Sequence, residues 1–252
     1  MPIILKSDDE IAIMREAGRI VANTLNLLVE ALRPGLVVKE LDKIVRREFA
    51  RHDVIPTFLG YGHPAYPATV CVSVNEEIVH GIPGKRVIKE GDIVSLDLGC
   101  TYKGFVGDSA VTVIVGTPKD TVAERLVNVT REALEAGIAQ AKAGNRMGDI
   151  SHAIQTHIES NGFGVVREYV GHGVGRDMHE EPQVPNFGPV DRGPVLKKGM
   201  VLALEPMVTV GDWRTRQLDD HWTVVTADGS LAAHFEHTIA ITENGARVLT
   251  AP

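Results

Sequence analysis

Two segments of this chain, 108 positions apart, carry nearly the same pattern. Residues 87–97 read VIKEGDIVSLD and residues 195–205 read VLKKGMVLALE, so each is an apolar strand pattern that ends in a carboxylate. The aliphatic positions match in register, and a shift of one residue in either strand would move its acid to the other face of a sheet. Chance similarity of two apolar strands is one explanation. A duplicated fold that brings Asp97 and Glu205 to one place is the other.

The segments upstream of these strands repeat as well, which favours duplication. Residues 31–49 align with residues 140–158 at an offset of 109, and this alignment matches Gly35 with Gly144. The same order of elements, a helix, a glycine turn, a second helix and then strands, is therefore predicted in both halves. The period is far longer than the ~20 to 50 residues of a solenoid repeat. We expect a single domain over 1–252, with pseudo-symmetric halves at about 1–116 and 117–252.

The composition agrees with one compact domain and excludes several classes of protein. A chain of 252 residues that is 44% hydrophobic can bury a large core, and no linker-like stretch divides it. The net charge of -7 leaves no excess of positive charge to attract nucleic acid, so we expect no direct nucleic-acid binding. Cys71 and Cys100 have no metal-type spacing, and no apolar run approaches the ~18 residues of a membrane span. These features, with no leader-like N-terminus, predict a cytoplasmic protein.

The spacing of apolar residues predicts an α+β fold. The first helix begins at a capping box formed by Ser7 and Glu10 and stops at residues 33–35. Further helices are predicted over 38–51, 121–143 and 149–160. Strands are predicted over 68–74, 92–98, 105–115, 201–210, 222–226 and 234–242. The glycine-rich segment 171–189 is predicted to be a loop, and its glycines make a poor dinucleotide fingerprint because no helix follows them.

Two acids lie close together in the predicted hairpin of strands 92–98 and 105–115. If Tyr102 and Lys103 form the centre of its turn, Asp97 and Asp108 stand directly opposite each other, with their β-carbons about 4.5 to 5.5 Å apart. Like charges at this distance repel, so either one carboxylate is protonated or a cation lies between them. An aspartic-protease dyad is the protonated alternative, but its usual Asp-Thr/Ser-Gly context is absent.

The second half of the chain favours the cation. It supplies Glu205 and Glu236, again in apolar strand contexts where an unpaired charge is costly to bury. Four carboxylates with nearby histidines suit two divalent ions.

Three histidines have the context of functional residues. His172 and His179 lie seven positions apart in the glycine-rich segment, too far for an HExxH helix, so we expect them to have different roles. His80 ends a strand pattern next to Gly81, where a backbone can approach a ligand closely. Five others lack any ligand context and are expected at the surface or in hydrogen-bonded core positions: His52, His63, His152, His157 and His221.

Five motifs, in this order and at this spacing, resemble the methionine aminopeptidases of the short, type I class. They are VCVSVNEEIVHGIP, DLG followed by GDSA, GHGVGRDMHEEP, LALEPM and HFEHTI, and the resemblance extends from about residue 7 to residue 241. It implies the pita-bread fold, in which two pseudo-symmetric α/β halves with antiparallel strands surround a dinuclear metal site. It also implies removal of the N-terminal methionine from nascent proteins and peptides whose second residue is small.

The resemblance also implies roles for particular residues. The metal ligands would be Asp97, Asp108, His172, Glu205 and Glu236, with Asp108 and Glu236 bridging two divalent ions. Cobalt, manganese, iron, nickel or zinc all remain open. The catalytic residues would be His80 and His179, which contact the substrate and the developing intermediate, and Glu205, which moves the proton of the attacking water.

A pocket for the methionine side chain is implied at Tyr61, Tyr66, Cys71, Met178 and Trp222, with Phe58 nearby. Met178 stands where the family often has phenylalanine, and the segment 62–65 (GHPA) is longer than the common family pattern. Methionine is a softer wall than an aromatic ring, so side-chain selectivity is expected to loosen.

Three alternatives share the fold. Prolidase or aminopeptidase P and creatinase-type amidinohydrolases normally carry a large N-terminal domain that this sequence does not show. A metal-free binding module would have lost ligands, whereas all five are present. The expected partner is the N-terminal peptide of nascent proteins. We expect a monomer by family precedent, with no membrane contact, and an association with the ribosome near its exit tunnel stays open.

Overall fold

The computed structural model describes residues 2–252, and its helices lie where the apolar pattern predicts them. Within this part of the chain they are α1 (Asp8–Ala31), α2 (Lys39–Arg51), α3 (Thr121–Gln140) and α4 (Met147–Ser160). The predicted capping box is confirmed: the Glu10 N–H donates to Ser7 Oγ at 3.2 Å, and the Ser7 N–H donates to Glu10 Oε2 at 3.0 Å. Two backbone donors at the start of α1 are thereby satisfied, which sets the point at which the helix begins.

The strands within residues 2–252 are mostly short. They are β1 (Ile55–Pro56), β2 (Cys71–Val74), β3 (Glu77–Val79), β4 (Ile93–Tyr102), β5 (Phe105–Ile114), β6 (Gly164–Val165), β7 (Gly171–Gly173), β8 (Glu180–Val184), β9 (Val201–Leu204), β10 (Met207–Thr209), β11 (Thr215–Gln217), β12 (Val224–Thr226), β13 (Ala232–His234), β14 (Glu236–Thr242) and β15 (Gly245–Val248).

Nine of these strands form one antiparallel sheet. Its order is β1-β4-β5-β14-β9-β7-β8, and β2 pairs with β4 while β15 pairs with β14. Two sheets of three strands flank it, in the orders β13-β10-β6 and β11-β12-β3. The contact between β5 and β14 joins strands from the first and second parts of the chain, and it lies at the centre of the large sheet.

The turns between paired helices repeat a hydrogen bond at corresponding positions. The Gly35 N–H donates to the Ile88 carbonyl at 2.8 Å, and the Gly144 N–H donates to the Leu196 carbonyl at 3.0 Å. Both glycines have positive φ, at 88° and 97°, a conformation that L side chains rarely adopt. The two helix–turn–helix segments therefore meet their following strands in the same way.

The helices pack against one face of the large sheet. Leu96 and Leu98 of β4 pack in one apolar cluster with residues of α1 and α2, while Leu202 and Ile239 pack with residues of α3 and α4. Since successive side chains of a strand point to opposite faces, Asp97 lies on the face away from α1 and α2. No helix among residues 2–252 is both long enough and apolar enough to cross a bilayer.

Two predicted strands are divided in the structure. The strand predicted over 201–210 breaks between β9 and β10, because Pro206 has no N–H to donate to a neighbouring strand. The strand predicted over 234–242 starts earlier and breaks at Phe235, between β13 and β14. Both breaks fall next to a glutamate, so the chain changes sheet directly after Glu205 and directly before Glu236.

Other predicted boundaries are also corrected. The segment 171–189, predicted to be a loop, contains β7 and β8, which pair with each other through Gly171 and Val184. Glycine carries little strand signal, and this pairing depends on the neighbouring β9. Helix α3 ends before residue 143, α4 begins before residue 149, and β4 continues beyond residue 98. Strands β2 and β12 begin later than the starts predicted at 68 and 222.

Candidate metal centre and active site

Three glutamate and aspartate side chains come together because neighbouring strands align them in one row. Asp97 of β4 and Glu236 of β14 both lie opposite Ala110 of β5. Continuing the register of β9 and β14 by one residue puts Glu205 opposite Glu236. Neighbouring strands lie about 4.8 Å apart, so the row crosses four strands on one face of the sheet. The small side chain of Ala110 leaves space between the acids.

Asp108 joins this row from a diagonal position, which corrects the predicted hairpin register. Lys103 and Gly104 form the turn, with φ of 47° and 79°, as a two-residue hairpin of type I′ requires. Asp108 therefore lies opposite Gly99, two residue pairs along the ladder from the pair that contains Asp97. The prediction that the two aspartates stand directly opposite each other is wrong, because the turn is centred one residue later than assumed. The shift keeps both acids on one face. We call Asp97, Asp108, Glu205 and Glu236 the acid cluster.

Hydroxyl groups hold the backbone of the bridging candidates in place. Thr238 Oγ1 donates to the Asp108 carbonyl at 2.7 Å and accepts from the Asp108 N–H at 3.3 Å. Ser109 Oγ donates to the Glu236 carbonyl at 2.6 Å. These contacts tie β5 to β14 at the acids themselves, so the separation of Asp108 and Glu236 is set by the sheet rather than by flexible loops.

His172 of β7 reaches the acid cluster as a neutral imidazole. Its Nδ1–H donates to the Gly173 carbonyl at 3.0 Å, which leaves the lone pair on Nε2. Nε2 lies 3.5 Å from Glu205 Oε1. Burial lowers the pKa of His172 to about 3, and the nearby His179 adds to this effect. The Nε2 lone pair of His172 is therefore available to bind a metal ion.

The acid cluster has the properties of a metal site. Asp97 Oδ1, Asp108 Oδ1 and Glu236 Oε1 are buried without a hydrogen-bond partner among residues 2–252. Burial, followed by repulsion from other members of the cluster, raises the pKa of Asp97, Glu205 and Glu236 well above the usual range. Burial also raises the pKa of Asp108 to about 7.

A divalent cation would satisfy these oxygens. Donor atoms of Asp108, His172 and Glu236 lie within 4.8 Å of one another, so one ion can contact all three side chains after small adjustments. Carboxylates with one imidazole are a donor set that divalent metals accept. The residues present therefore fit the metal that the sequence motifs imply.

Two further histidines lie at the edge of this site. His80 directly follows β3 with a φ of 61°, and its ring centroid is 6.0 Å from that of Trp222. The His179 ring centroid is 4.2 Å from that of His172, and His179 Nδ1 is 2.6 Å from the Tyr61 hydroxyl. Burial lowers the pKa of His80 to about 4, with a contribution from His179, and burial also lowers the pKa of His179. Both rings are neutral at physiological pH.

The acids and histidines open into an apolar cavity of about 130 Å³. Tyr66 anchors its wall, because its hydroxyl donates to the Gly81 carbonyl at 2.8 Å and its ring meets Trp222 edge to face at 5.2 Å. Trp222 Nε1–H in turn donates to the Pro64 carbonyl at 2.9 Å, within the longer segment 62–65. The structure brings every predicted site residue to the lining of this cavity, including Phe58.

The sequence motifs did not point to His234, which belongs to the same region. Its side chain is 1% exposed at the end of β13, and its Nε2 lies 3.7 Å from Glu205 Oε2. Neither of its ring nitrogens has a hydrogen-bond partner among the described residues. A signal was present in the motif HFEHTI, where His234 precedes Glu236 by two positions, the spacing that puts residues on one face of a strand.

Comparisons with known proteins agree with this geometry. Residues 12–243 match the model of metallopeptidase family M24. Methionine aminopeptidase 1 from Bacillus subtilis (strain 168) is 54% identical over 248 residues, which are 98% of this chain and 99% of that protein. The crystal structure of methionine aminopeptidase from Thermotoga maritima has a TM-score of 0.97 and 52% identity, and the match covers 100% of both chains.

A prolidase from Pyrococcus furiosus is similar in fold, with a TM-score of 0.78 and 24% identity, and the match covers 99% of this chain and 66% of the prolidase. The predicted pita-bread fold is confirmed by these neighbours together with the helices and antiparallel sheets described above. The chain therefore belongs to the methionine aminopeptidases of metallopeptidase family M24.

Proposed function

We propose that this chain removes the N-terminal methionine from nascent proteins and peptides whose second residue is small, with two divalent cations bound at the acid cluster. The observation that carries this proposal is the continuity of the apolar cavity with buried carboxylate oxygens that have no hydrogen-bond partner within residues 2–252. A side chain of methionine's size and polarity can enter the apolar end, and the bond that follows it then lies next to the acids and histidines.

Five side chains would hold the metal: Asp97, Asp108, His172, Glu205 and Glu236. When bound, divalent ions at such a site polarise a carbonyl oxygen and lower the pKa of a water molecule toward neutrality. The donor set accepts cobalt, manganese, iron, nickel or zinc, so availability in the cell decides which is used. The free α-amino group of the substrate would point toward the same ligands, which restricts cleavage to N-terminal residues.

Glu205 is the proposed proton carrier. Its pKa is raised by burial and by Asp97 and Asp108, so it can accept a proton from the attacking water and release it to the leaving amine. A carboxylate of ordinary pKa would be a weaker base toward the attacking water. Asn186 Nδ2–H donates to the Glu205 carbonyl at 3.0 Å, which anchors the backbone of this residue where β9 ends.

His179 and His80 are proposed to contact the substrate. With Tyr61 as the donor to Nδ1 of His179, the Nε2–H of this ring is free to donate to the oxygen of the scissile carbonyl. His80, neutral and packed edge to face against Trp222, lies where it can orient the substrate backbone. Both roles need a neutral imidazole, which the lowered pKa values supply.

We also propose that the chain acts as one catalytic domain and as a cytoplasmic monomer. The net charge of -7 argues against direct contact with RNA, so any association with the ribosome would use protein contacts near the exit tunnel. Analytical ultracentrifugation should give one species at the mass of a single chain. Co-sedimentation with ribosomes that carry nascent chains tests the association that stays open.

The test of the activity is kcat/KM for a Met-Xaa-Ser series beside Leu-Ala-Ser and a Met-Pro peptide, with and without added divalent metal. We expect hydrolysis that depends on metal, favours Gly, Ala, Ser or Thr as Xaa, and favours methionine over leucine. Apolar shape differences of this kind are worth about 1 to 3 kcal/mol. Cleavage of Xaa-Pro bonds regardless of the first residue would indicate a prolidase instead.

The role of His179 has a separate test. His179→Ala should bind metal as the unmodified protein does but turn over roughly 100-fold more slowly, because a hydrogen bond to the oxyanion is lost. His157→Ala is a matched control, since His157 contacts Glu132 between helices α3 and α4. A fall in metal content for His179→Ala would show that this ring is a ligand and not a donor to the substrate.

A further inference from the structure

His234 is buried at the metal site in a way that its local packing does not explain. Its side chain is 1% exposed, and both ring nitrogens are buried without a partner among residues 2–252. A buried donor without a partner loses its hydrogen bond to water and gains nothing in return. A leucine of similar volume would avoid this cost, so the imidazole calls for a functional explanation.

The backbone at His234 cannot shift to give the ring another partner. The His234 N–H donates to Thr112 Oγ1 at 2.9 Å, and Thr112 Oγ1 donates to the His234 carbonyl at 2.5 Å. On its other side the residue pairs with Met207 of β10. Two neighbouring strands therefore fix where the ring starts, and only side-chain rotation remains free.

Glu205 is a polar group within reach of the ring. His234 Nε2 lies 3.7 Å from Glu205 Oε2, beyond the ~3.2 Å limit of a good hydrogen bond but within reach of a small rotation. The other carboxylate oxygen, Oε1, faces His172 Nε2 at 3.5 Å. Each carboxylate oxygen of Glu205 thus has a histidine ring near it.

A neutral imidazole donates one hydrogen bond and adds no charge. It can therefore orient a carboxylate without weakening that carboxylate's attraction for a cation.

We propose that His234 is a positioning residue, which donates from Nε2–H to Glu205 Oε2 and holds this carboxylate in the orientation that binds metal and accepts the proton of the attacking water. The inference rests on the proposed function, because it assigns His234 a role through Glu205. It differs from a structural role in one respect: the shape of the residue matters less than its ability to donate at this position.

The test compares His234→Gln, which keeps an N–H donor, with His234→Leu, which keeps volume and removes the donor. Binding of Mn²⁺ to the metal-free protein is measured by calorimetry, beside kcat and KM for Met-Ala-Ser. Loss of a partner of this kind typically weakens metal binding about 10- to 100-fold. We expect this loss for His234→Leu with a lower kcat and little change in KM, and substantial recovery for His234→Gln.

His237→Leu is the matched control, because His237 is a neighbouring half-buried histidine whose Nδ1 contacts Thr250 Oγ1 at 2.8 Å. It should alter thermal stability and leave Mn²⁺ binding unchanged. Equal Mn²⁺ affinity for His234→Leu and the unmodified protein, or no advantage of His234→Gln over His234→Leu, would overturn the proposal.

A measurement on the unmodified protein covers the case in which His234→Leu fails to fold. With Zn²⁺ bound, ¹⁵N spectra of the histidine rings should show the His234 proton on Nε2, hydrogen-bonded to a carboxylate. A proton on Nδ1 would overturn the proposal. Absence of Met-Ala-Ser hydrolysis by the unmodified, metal-loaded protein would count instead against the proposed function, and the metal-binding comparison separates the two outcomes.

Discussion

The fold buries carboxylates in two neighbouring places and treats them in opposite ways. Glu180, directly after His179, forms an ion pair with Lys6, and the two side chains are only 7% and 3% exposed. Its other oxygen accepts from the Arg176 N–H at 2.9 Å, so both of its oxygens have partners. In the acid cluster, by contrast, buried oxygens of Asp97 and Asp108 have none among residues 2–252.

This difference separates a structural charge from a functional one. The Lys6–Glu180 pair ties the segment before α1 to the turn that carries Met178 and His179, and the chain itself supplies the counter-charge. The acid cluster has no such internal compensation, so its repulsion is relieved by protonation or by a cation. At an uncompensated group of acids, the fold therefore depends on a proton or a cation from outside the chain.

The largest expected effect comes from neutralising one member of the acid cluster. Asp108→Asn should lower kcat/KM at least about 1000-fold, because several kcal/mol of transition-state stabilisation depend on the metal. The same variant should make the metal-free protein more stable, since an amide removes repulsion without removing volume. Hydrolysis of Met-Ala-Ser, metal content and thermal unfolding in EDTA test both parts.

Asp191→Asn is the control for this variant, because Asp191 is exposed and its positive φ of 58° suits asparagine equally well. Asp191→Asn should change neither kcat/KM nor the stability of the metal-free protein. A metal-free Asp108→Asn protein that is less stable than the unmodified one would mean that the buried carboxylate is compensated within the fold, and the contrast with Glu180 would fail.

Breaking the Lys6–Glu180 ion pair should lower the stability of the protein, whereas Asp108→Asn should raise the stability of the metal-free protein. Lys6→Met leaves Glu180 buried without its cation and should destabilise the protein by about 3 to 5 kcal/mol. For a chain of this size, that shift corresponds to a fall in Tm of roughly 10 °C. Thermal unfolding measures the effect, and Lys6→Arg is the control that keeps the charge.

The double variant Lys6→Met, Glu180→Gln should recover part of the loss, because it removes the uncompensated charge together with its partner. If Lys6→Met unfolds at the temperature of the unmodified protein, Glu180 does not need its partner, and the ion pair is not a structural charge in the sense used above.

The acid cluster should also give the metal-free protein a characteristic pH dependence. Asp108 has a pKa of about 7 in the folded protein, whereas an unfolded aspartate has a pKa of about 3.9. Between these values the folded state keeps a proton that the unfolded state releases. The stabilisation is therefore complete below about pH 4 and is lost as the pH rises through about 7.

Each pKa unit corresponds to about 1.4 kcal/mol, so the free energy of unfolding should fall by at least about 2 kcal/mol over this range. Urea unfolding in EDTA between pH 4 and pH 8 measures it, and Asp108→Asn should flatten the curve. With added Mn²⁺ the free energy of unfolding should instead rise with pH, because metal and protons compete for the same oxygens. Stability that rises with pH without metal would contradict the raised pKa.

The smallest expected effect lies at the exposed edge of the site. Tyr61→Phe removes the contact between the tyrosine hydroxyl and His179 Nδ1, and Tyr61 is 40% exposed. A hydrogen bond of this kind is worth about 1 kcal/mol, so kcat/KM should fall about 5- to 10-fold with unchanged metal content. Tyr102→Phe is the control away from the cavity. A loss as large as that of Asp108→Asn would give Tyr61 a direct role in the chemistry.

Much of the fold follows from short-range patterns in the sequence. The capping box at Ser7 starts α1, and the alternation of β4 puts Asp97 on the face away from α1 and α2. The repeated strand pattern that ends in Asp97 and Glu205 also indicates where two acids meet. These features depend on residues close together in the chain, whose preferences are fixed by sterics and local hydrogen bonds.

Long-range pairing decided what these patterns could not. The hairpin register depended on which residues form the turn; the turn lies at Lys103 and Gly104, one residue later than expected, and this moves the pairing by two residues. The pairing of the glycine-rich β7 with β8 depended on β9 beside them.

The sequence by itself determined the helices, the strand faces and the identity of the acids, because each is encoded within a few residues. The tertiary structure alone brought Lys6 to Glu180, 174 positions away, and His234 to Glu205. Such contacts depend on how sheets and loops stack, and no local preference of either partner specifies them. The tertiary structure therefore decides whether a buried charge is paired within the chain or is available to a metal.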